Sequence, residues 1–199
     1  RIPVAAGLAG GSSDAAAVFV GLNILFNLNL SKNKLMNLGV KLGAEIPYCI
    51  LTGTALAQGI GEKLTKLPPM PFCYVVIAKP PISVSTAHVY RSLNVEEISF
   101  HPNTQDVIEG IKKGDLRHIA KNLGNVLESV TIKEYPIIDD IKNTLLEYGA
   151  LGALMSGSGP SVFGLFENHK DAQAAAKELR LHSKAKDIFV TTIFNRERV

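Results

Sequence analysis

Near its start the chain reads Gly7-Leu8-Ala9-Gly10-Gly11-Ser12-Ser13-Asp14-Ala15-Ala16-Ala17, a glycine-rich turn that runs into two serines and an aspartate. Glycine adopts backbone conformations closed to other residues, so the N–H groups of such a turn can converge on one ligand. Apolar residues then recur at helical spacing, at Ala15, Val18, Phe19, Leu22 and Phe26. We therefore predict a helix that begins at this turn and binds an anion such as phosphate at its N-terminus.

The spacing of the turn excludes two common phosphate-binding loops. A Walker A loop ends in Gly-Lys-Ser/Thr, whereas Gly11 is followed by Ser12 and Ser13 with no lysine nearby. A dinucleotide-binding loop needs the spacing G-x-G-x-x-G, whereas these glycines stand at positions 7, 10 and 11. The alternative to an anion site is a glycine-rich turn that only caps a helix.

From Pro3 to Ala16 the sequence closely resembles the phosphate-binding motif of the GHMP kinases, named for galactokinase, homoserine kinase, mevalonate kinase and phosphomevalonate kinase. Within that family, the Gly-Gly-Ser-Ser-Asp-Ala-Ala ending is most similar to the kinases that act on a diphosphocytidyl methylerythritol. The resemblance implies ATP and Mg²⁺ as cofactors. It assigns the ATP phosphates to Gly7, Leu8, Ala9, Gly10, Gly11, Ser12 and Ser13.

A proline-rich stretch divides the chain. Prolines at 68, 69 and 71 can continue neither a helix nor a central strand. With 199 residues, 46% of them hydrophobic, the chain can form one or two packed domains. We predict an α+β protein with domains over residues 1–68 and 72–199. The resemblance implies a truncated GHMP kinase N-terminal domain, whose front is absent, followed by a ferredoxin-like C-terminal domain.

Hydrophobic patterns predict the order of helices and strands. Residues 1–5 are expected to form a strand that enters the loop, and Leu35, Leu38 and Leu42 a second helix that ends at Gly43. Further strands are predicted over residues 48–51, 54–57, 62–67, 72–78, 152–155, 162–166 and 188–194, and helices over 86–93, 104–112, 115–123, 136–149 and 171–179. The order after residue 72 is typical of a ferredoxin-like layer.

A second loop of small residues runs from Met155 to Ser161 as Met-Ser-Gly-Ser-Gly-Pro-Ser. It resembles the third conserved motif of the GHMP kinases, which implies that Gly157 and Ser158 bind substrate. The alternative is a tight hairpin turn, because glycine, serine and proline are common turn residues.

Glu45 falls where the resemblance places the catalytic aspartate of these kinases. The sequence departs from the family pattern by one methylene, and glutamate can also accept a proton from a hydroxyl. The alternative is a solvated charge in a turn. Some family members are thought to work without such a base, through positioning and charge stabilisation.

Thr86 and Tyr90 match positions that border the substrate in the diphosphocytidyl kinases, where the aromatic residue stacks on cytosine. The alternative for Tyr90 is a helix residue packed against the sheet. The segment Gly59-Ile60-Gly61-Glu62 also resembles that family, and we predict a hairpin there.

The composition and charge of the chain indicate which kinds of ligand and partner to expect. A formal charge of +3 without a basic run favours a small-molecule substrate over nucleic acid. No apolar stretch is long enough to predict a membrane span, and the five histidines show no metal-ligand spacing. Cys49 and Cys73 lie in apolar runs without a C-x-x-C pair, so we expect buried free thiols and a cytoplasmic protein. The oligomeric state is left open.

Taken together, the residues and the resemblance predict an ATP-dependent kinase of the non-mevalonate isoprenoid pathway that phosphorylates the 2-hydroxyl of the methylerythritol unit. Two alternatives remain at this point. One is a GHMP kinase that acts on another small alcohol, and the other is an inactive nucleotide-binding or structural fragment.

Overall fold

The computed structural model describes residues 2–98, 100–182 and 184–195. The chain divides into two compact units, one containing residues 9–70 with 194 and 195, the other containing residues 2–8 with 71–193. The chain passes from one unit to the other between Leu8 and Ala9, inside the glycine-rich turn. We call them the α1 unit and the sheet unit.

The α1 unit contains three helices and a hairpin. The helices are α1 (Gly10–Leu25), α2 (Lys32–Gly39) and α3 (Ile46–Leu51), and the strands are β1 (Ala55–Gln58) and β2 (Lys63–Lys66). Its small core joins the three helices through Ala16, Leu35, Ile46 and Ile50. Strands β1 and β2 form the antiparallel hairpin that the sequence predicts, and its register places Ala55 opposite Lys66.

The elements predicted after residue 72 occur in the sheet unit in the predicted order, together with one helix and one 3₁₀ turn that the sequence analysis does not predict. This unit contains β3 (Tyr74–Lys79), α4 (Thr86–Ser92), a 3₁₀ turn (Val95–Glu97), α5 (Thr104–Lys113), α6 (Leu116–Lys121), α7 (Glu128–Glu134), α8 (Ile137–Glu147), β4 (Gly152–Met155), β5 (Val162–Phe166), α9 (His169–Leu181) and β6 (Asp187–Thr192). The strands lie in the order β4-β5-β3-β6, with every neighbouring pair antiparallel. Helices α8 and α9 pack on this sheet around Val76, Phe166, Ile141 and Leu179, which are fully buried. This is the ferredoxin-like arrangement that the sequence predicts.

The strand predicted over residues 48–51 is wrong, because these residues belong to helix α3. Pro47 lies in the first turn of that helix, where its missing N–H costs nothing and its fixed φ favours the helix. A short apolar run has no periodicity that separates a strand from a buried helix, which explains the error. Cys49 is consequently a helical, half-buried residue, whereas Cys73 is fully buried.

Two other predictions are wrong, one for the end of a helix and one for a strand. Helix α2 ends at Gly39, and the Gly43 N–H bonds to the Gly39 carbonyl in the turn that follows. Residues 2–5 form no strand, since no described strand pairs with them and an unpaired extended segment gains no ladder hydrogen bonds. Helix α7 lacks a sequence prediction because β-branched residues at 130–132 have weak helix propensity.

Candidate functional site

Helix α1 begins at Gly10, and no side chain caps its N-terminus. The capping position is Ala9, which lies in the left-handed region with φ of 51°, and its carbonyl accepts the Ser13 N–H at 2.8 Å. Ser12 and Ser13 therefore lie inside the first turn and not ahead of it. The free N–H groups of this turn, together with the helix dipole, provide the chemistry of an anion site.

The Glu45 carboxylate lies beside the first turn of α1. Glu45 is the residue that precedes α3, its side chain is exposed, and its Oε2 accepts a hydrogen bond from the Ser12 hydroxyl at 3.3 Å. Both residues belong to the α1 unit. Their contact brings the predicted base and one predicted phosphate-binding residue together. The catalytic role of Glu45 stays a prediction.

Gly7 contacts the second small-residue loop within the sheet unit. Its φ is 68°, and a Cβ added there would lie 2.4 Å from the Ser156 carbonyl oxygen, so only glycine fits. The Ser156 hydroxyl donates to the Gly7 carbonyl at 2.7 Å. Gly7 of the first glycine-rich turn and Ser156 of the second loop, which are far apart in the sequence, are thus in direct contact.

Thr86 and Ser158 also lie together. Their hydroxyl oxygens are 2.8 Å apart, which is a hydrogen bond between the first residue of α4 and the second loop. Two of the predicted substrate-binding residues are therefore neighbours, and Gly157 lies beside them in the chain. Ser158 is buried and its hydroxyl bonds Thr86, and its part in substrate binding stays a prediction.

Tyr90 lies at a surface cleft of about 460 Å³. The cleft is also lined by Leu93, Asn125, Leu154, Gly157 and Phe163. The Tyr90 side chain is 61% exposed, whereas Val89, its neighbour on α4, is fully buried. Val89 thus packs in the core, and Tyr90 is available to a ligand, which disfavours the core-packing alternative.

Sequence reasoning did not identify Asn125 and Glu128, which bind the second loop directly. Asn125 Nδ2 donates to the carbonyls of Met155 at 2.9 Å and Gly157 at 2.8 Å, and Glu128 Oε1 accepts the Met155 N–H at 2.8 Å. The contacts join residues about 30 positions apart, so no local pattern predicts them. The sequence signal is a polar pair three positions apart, whose second member begins a helix that the sequence analysis does not predict.

The Gly59–Glu62 segment forms the hairpin turn between β1 and β2. Gly59 has φ of 69°, and the Ile60 N–H donates to Glu62 Oε2 at 2.8 Å. Backbone hydrogen bonds from Glu62 and Ile60 lower the pKa of the Glu62 carboxyl. This supports a structural role for the segment.

The described residues provide no group of three His, Cys, Asp or Glu side chains that could hold a metal ion. None of the helices in the described part of the chain is long and apolar enough to cross a membrane. Burial raises the pKa of the Cys73 thiol to about 11, so this thiol is a poor metal ligand or nucleophile at neutral pH.

Two family models match the segments of the chain that contain the two loops. The family described as GHMP kinases N terminal domain matches residues 1–53, and that described as GHMP kinases C terminal matches residues 107–185. A solved 4-(cytidine 5'-diphospho)-2C-methyl-D-erythritol kinase superposes with a TM-score of 0.80 and 33% identity, over 96% of this chain and 68% of that one. A homoserine kinase from Cytophaga hutchinsonii, 23% identical over 97% of this chain and 66% of that one, shares the fold with a TM-score of 0.79.

The chain belongs to the GHMP kinase family, and within it to the group of 4-diphosphocytidyl-2-C-methyl-D-erythritol kinases. The kinase of that name from Lachnospira eligens is 53% identical over 97% of this chain and 67% of its own length. That from Lachnoclostridium phytofermentans is 56% identical over 100% of this chain and 68% of its own length. The chain thus spans about two thirds of these relatives, and the predicted family, fold class and kinase activity are confirmed.

Proposed function

We propose that the protein transfers the γ-phosphoryl group of ATP to the tertiary 2-hydroxyl of 4-diphosphocytidyl-2-C-methyl-D-erythritol, in non-mevalonate isoprenoid synthesis. The observation that carries this proposal is 53–56% identity, over nearly the whole chain, to kinases named for that substrate. The uncapped N-terminus of α1 supports it, because phosphoryl transfer depends chiefly on positioned groups that bind and stabilise phosphate charge.

The ATP phosphates would bind the backbone from Gly7 to Ser13. Three glycines in this segment allow close approach of a ligand, and the first turn of α1 offers N–H groups that the capping residue Ala9 does not bond through its side chain. Mg²⁺ prefers oxygen ligands and usually keeps several waters, and the Ser12 hydroxyl is an oxygen donor of this kind. Bound there, Mg²⁺ would neutralise the phosphate charge.

Glu45 would accept the proton of the acceptor hydroxyl as it attacks the γ-phosphorus. Its carboxylate is exposed and lies beside the first turn of α1, where the phosphates are proposed to bind. A general base typically contributes about 10²- to 10⁴-fold in rate. The same carboxylate is also favourable at a helix N-terminus without any catalytic role, so its function must be tested directly.

Thr86, Tyr90, Gly157 and Ser158 would bind the diphosphocytidyl end of the acceptor. The exposed Tyr90 ring at the cleft provides a face on which a pyrimidine can stack, worth about 1–3 kcal/mol. The Thr86–Ser158 hydrogen bond fixes the helix that carries Tyr90 relative to the loop.

The proposal is tested by ADP release from the complete natural protein with ATP, Mg²⁺ and one acceptor at a time. The acceptors are 4-diphosphocytidyl-2-C-methyl-D-erythritol, homoserine and mevalonate, with a reaction lacking acceptor as the control. We expect turnover with the first acceptor only. Turnover with another alcohol would favour a different GHMP kinase specificity, and nucleotide-induced stabilisation without turnover would favour an inactive binding protein.

The role of Glu45 is tested by Glu45→Gln, which keeps the size of the side chain and removes the base. We expect kcat to fall by about 10²- to 10⁴-fold while the KM for ATP changes little. The matched control is Glu109→Gln, an exposed glutamate on α5 that bonds Lys113. Unchanged kcat in Glu45→Gln would remove the base assignment without affecting the substrate assignment.

A further inference from the structure

The side chains of Asn125 and Glu128 form hydrogen bonds to the backbone of the second small-residue loop. The Asn125 amide donates two hydrogen bonds to loop carbonyls, those of Met155 and Gly157. Glu128, at the start of α7, accepts the Met155 N–H from the same stretch. We call Asn125 and Glu128 the loop brace. Together they bind three backbone groups within three consecutive loop residues.

The loop brace is itself fixed by further contacts. Asn125 Oδ1 accepts the Leu127 N–H at 3.0 Å, which sets the orientation of its amide. The second oxygen of Glu128 pairs with Lys142 Nζ of α8 at 2.6 Å, and both side chains are only 16% exposed. One carboxylate thus joins the loop, α7 and α8. Removal of either charge would leave the other partly buried without its partner, which is costly.

The position of this loop determines two contacts of the proposed site. Ser156 donates to the Gly7 carbonyl, and Ser158 bonds the Thr86 hydroxyl. Both serines lie within three residues after Met155, so their placement depends on the backbone that the loop brace holds. Misplacement of a positioning group by about 1 Å can cost about 10²-fold in rate.

From these contacts we infer that Asn125 and Glu128 are positioning residues of the kinase reaction, which act through residues 155–158 on Gly7 and Thr86. The inference rests on the proposed function, since the reaction is the one proposed above. It differs from a purely stabilising role in one measurable respect. A stabilising role changes the amount of folded enzyme, whereas a positioning role changes the kinetic constants of the folded enzyme.

The test compares three variants of the complete natural protein. Glu128→Ala removes the acceptor for the Met155 N–H and leaves Lys142 unpaired. The double variant Glu128→Gln with Lys142→Met keeps an amide oxygen for the Met155 N–H and removes both charges together. Asn125→Leu removes the two carbonyl bonds. Ile111→Val, a buried core change on α5, is the control for a modest loss of stability of about 0.5–1.5 kcal/mol.

We expect Glu128→Ala and Asn125→Leu to lower kcat/KM for the acceptor by about 10- to 100-fold, per mole of folded protein. The KM for ATP should rise as well, because Ser156 of the same loop bonds Gly7 in the proposed phosphate-binding segment. The double variant should stay within about 3-fold of the wild type, because neutral replacement of a buried pair is often tolerated. Ile111→Val should leave both constants unchanged.

Hydrogen exchange at the Met155 amide gives a readout that does not require turnover. It should accelerate in Glu128→Ala and stay slow in the double variant. Wild-type kinetic constants in Glu128→Ala and Asn125→Leu would overturn the inference, as would equal losses in the double variant and Glu128→Ala. If the wild type shows slow exchange at Met155 but no turnover, the proposed function fails, and with it the catalytic meaning of the loop brace.

Discussion

Replacement of Gly7 by alanine tests how closely Gly7 packs against the second small-residue loop. Gly7 has φ of 68°, and a Cβ there would lie 2.4 Å from the Ser156 carbonyl oxygen and 2.9 Å from that of Gly159. Ordinary van der Waals contact begins near 3.4 Å, so the closer carbonyl must move by about 1 Å. Both obstacles are backbone atoms, which cannot turn aside like a flexible side chain.

The matched control is Gly114→Ala. Gly114 ends α5 with φ of 67°, and nothing lies within 4 Å of an added Cβ. Both glycines belong to the sheet unit, so one unfolding transition reports both changes. Gly114→Ala measures the left-handed backbone cost alone, about 1–2 kcal/mol. The contact at Gly7 should add about 1–3 kcal/mol, typical of overpacking.

We therefore expect Gly7→Ala to lower the free energy of unfolding by about 2–5 kcal/mol, clearly more than Gly114→Ala. The assay is urea unfolding of the two variants and the wild type, followed by far-UV circular dichroism. Equal losses of stability for Gly7→Ala and Gly114→Ala would refute the close packing of the second loop against Gly7.

Three further changes test other features of the two units. Tyr90→Ala should raise the KM for the diphosphocytidyl acceptor about 5- to 150-fold, whereas Tyr90→Phe should leave it unchanged, as measured by steady-state kinetics. Equal KM values in Tyr90→Ala and the wild type would exclude stacking on this ring. Thr52 is a β-branched residue with φ of 60° and ψ of 171°, a strained conformation that glycine adopts readily. Thr52→Gly should therefore raise the melting temperature by about 2–4 °C. A melting temperature below that of the wild type would show that the Thr52 side chain compensates for the strain. At pH 8, iodoacetamide should modify half-buried Cys49 before Cys73, because burial raises the pKa of the Cys73 thiol to about 11. Peptide mass spectrometry will show which cysteine reacts first. Modification of Cys73 first would contradict its burial.

The features readable from the sequence are those with a local physical signature. The helix start at Gly10 follows a glycine-rich turn, and the central strand β3 is a near-continuous apolar run. The β1–β2 hairpin is marked by the glycines at 59 and 61. In each case the chain needs a backbone conformation or a burial pattern that few residue types provide.

The features that the sequence does not reveal depend on tertiary contacts. Helix α3 is an apolar hexapeptide that could be strand or helix until its packing against α1 and α2 is known. The Ser156–Gly7 hydrogen bond joins residues 149 positions apart. The loop brace depends on which way Asn125 and Glu128 point, and residue spacing alone contains no such information.

The most direct test of the proposed function is acceptor-dependent ADP release by the complete natural protein. It uses 4-diphosphocytidyl-2-C-methyl-D-erythritol beside the same molecule without its 2-hydroxyl. The proposal predicts turnover with the first compound, phosphorus NMR of a new 2-phosphomonoester, and no acceptor-dependent turnover with the second. Equal turnover with both compounds, or none with either, would contradict the proposed phosphoryl transfer to the 2-hydroxyl.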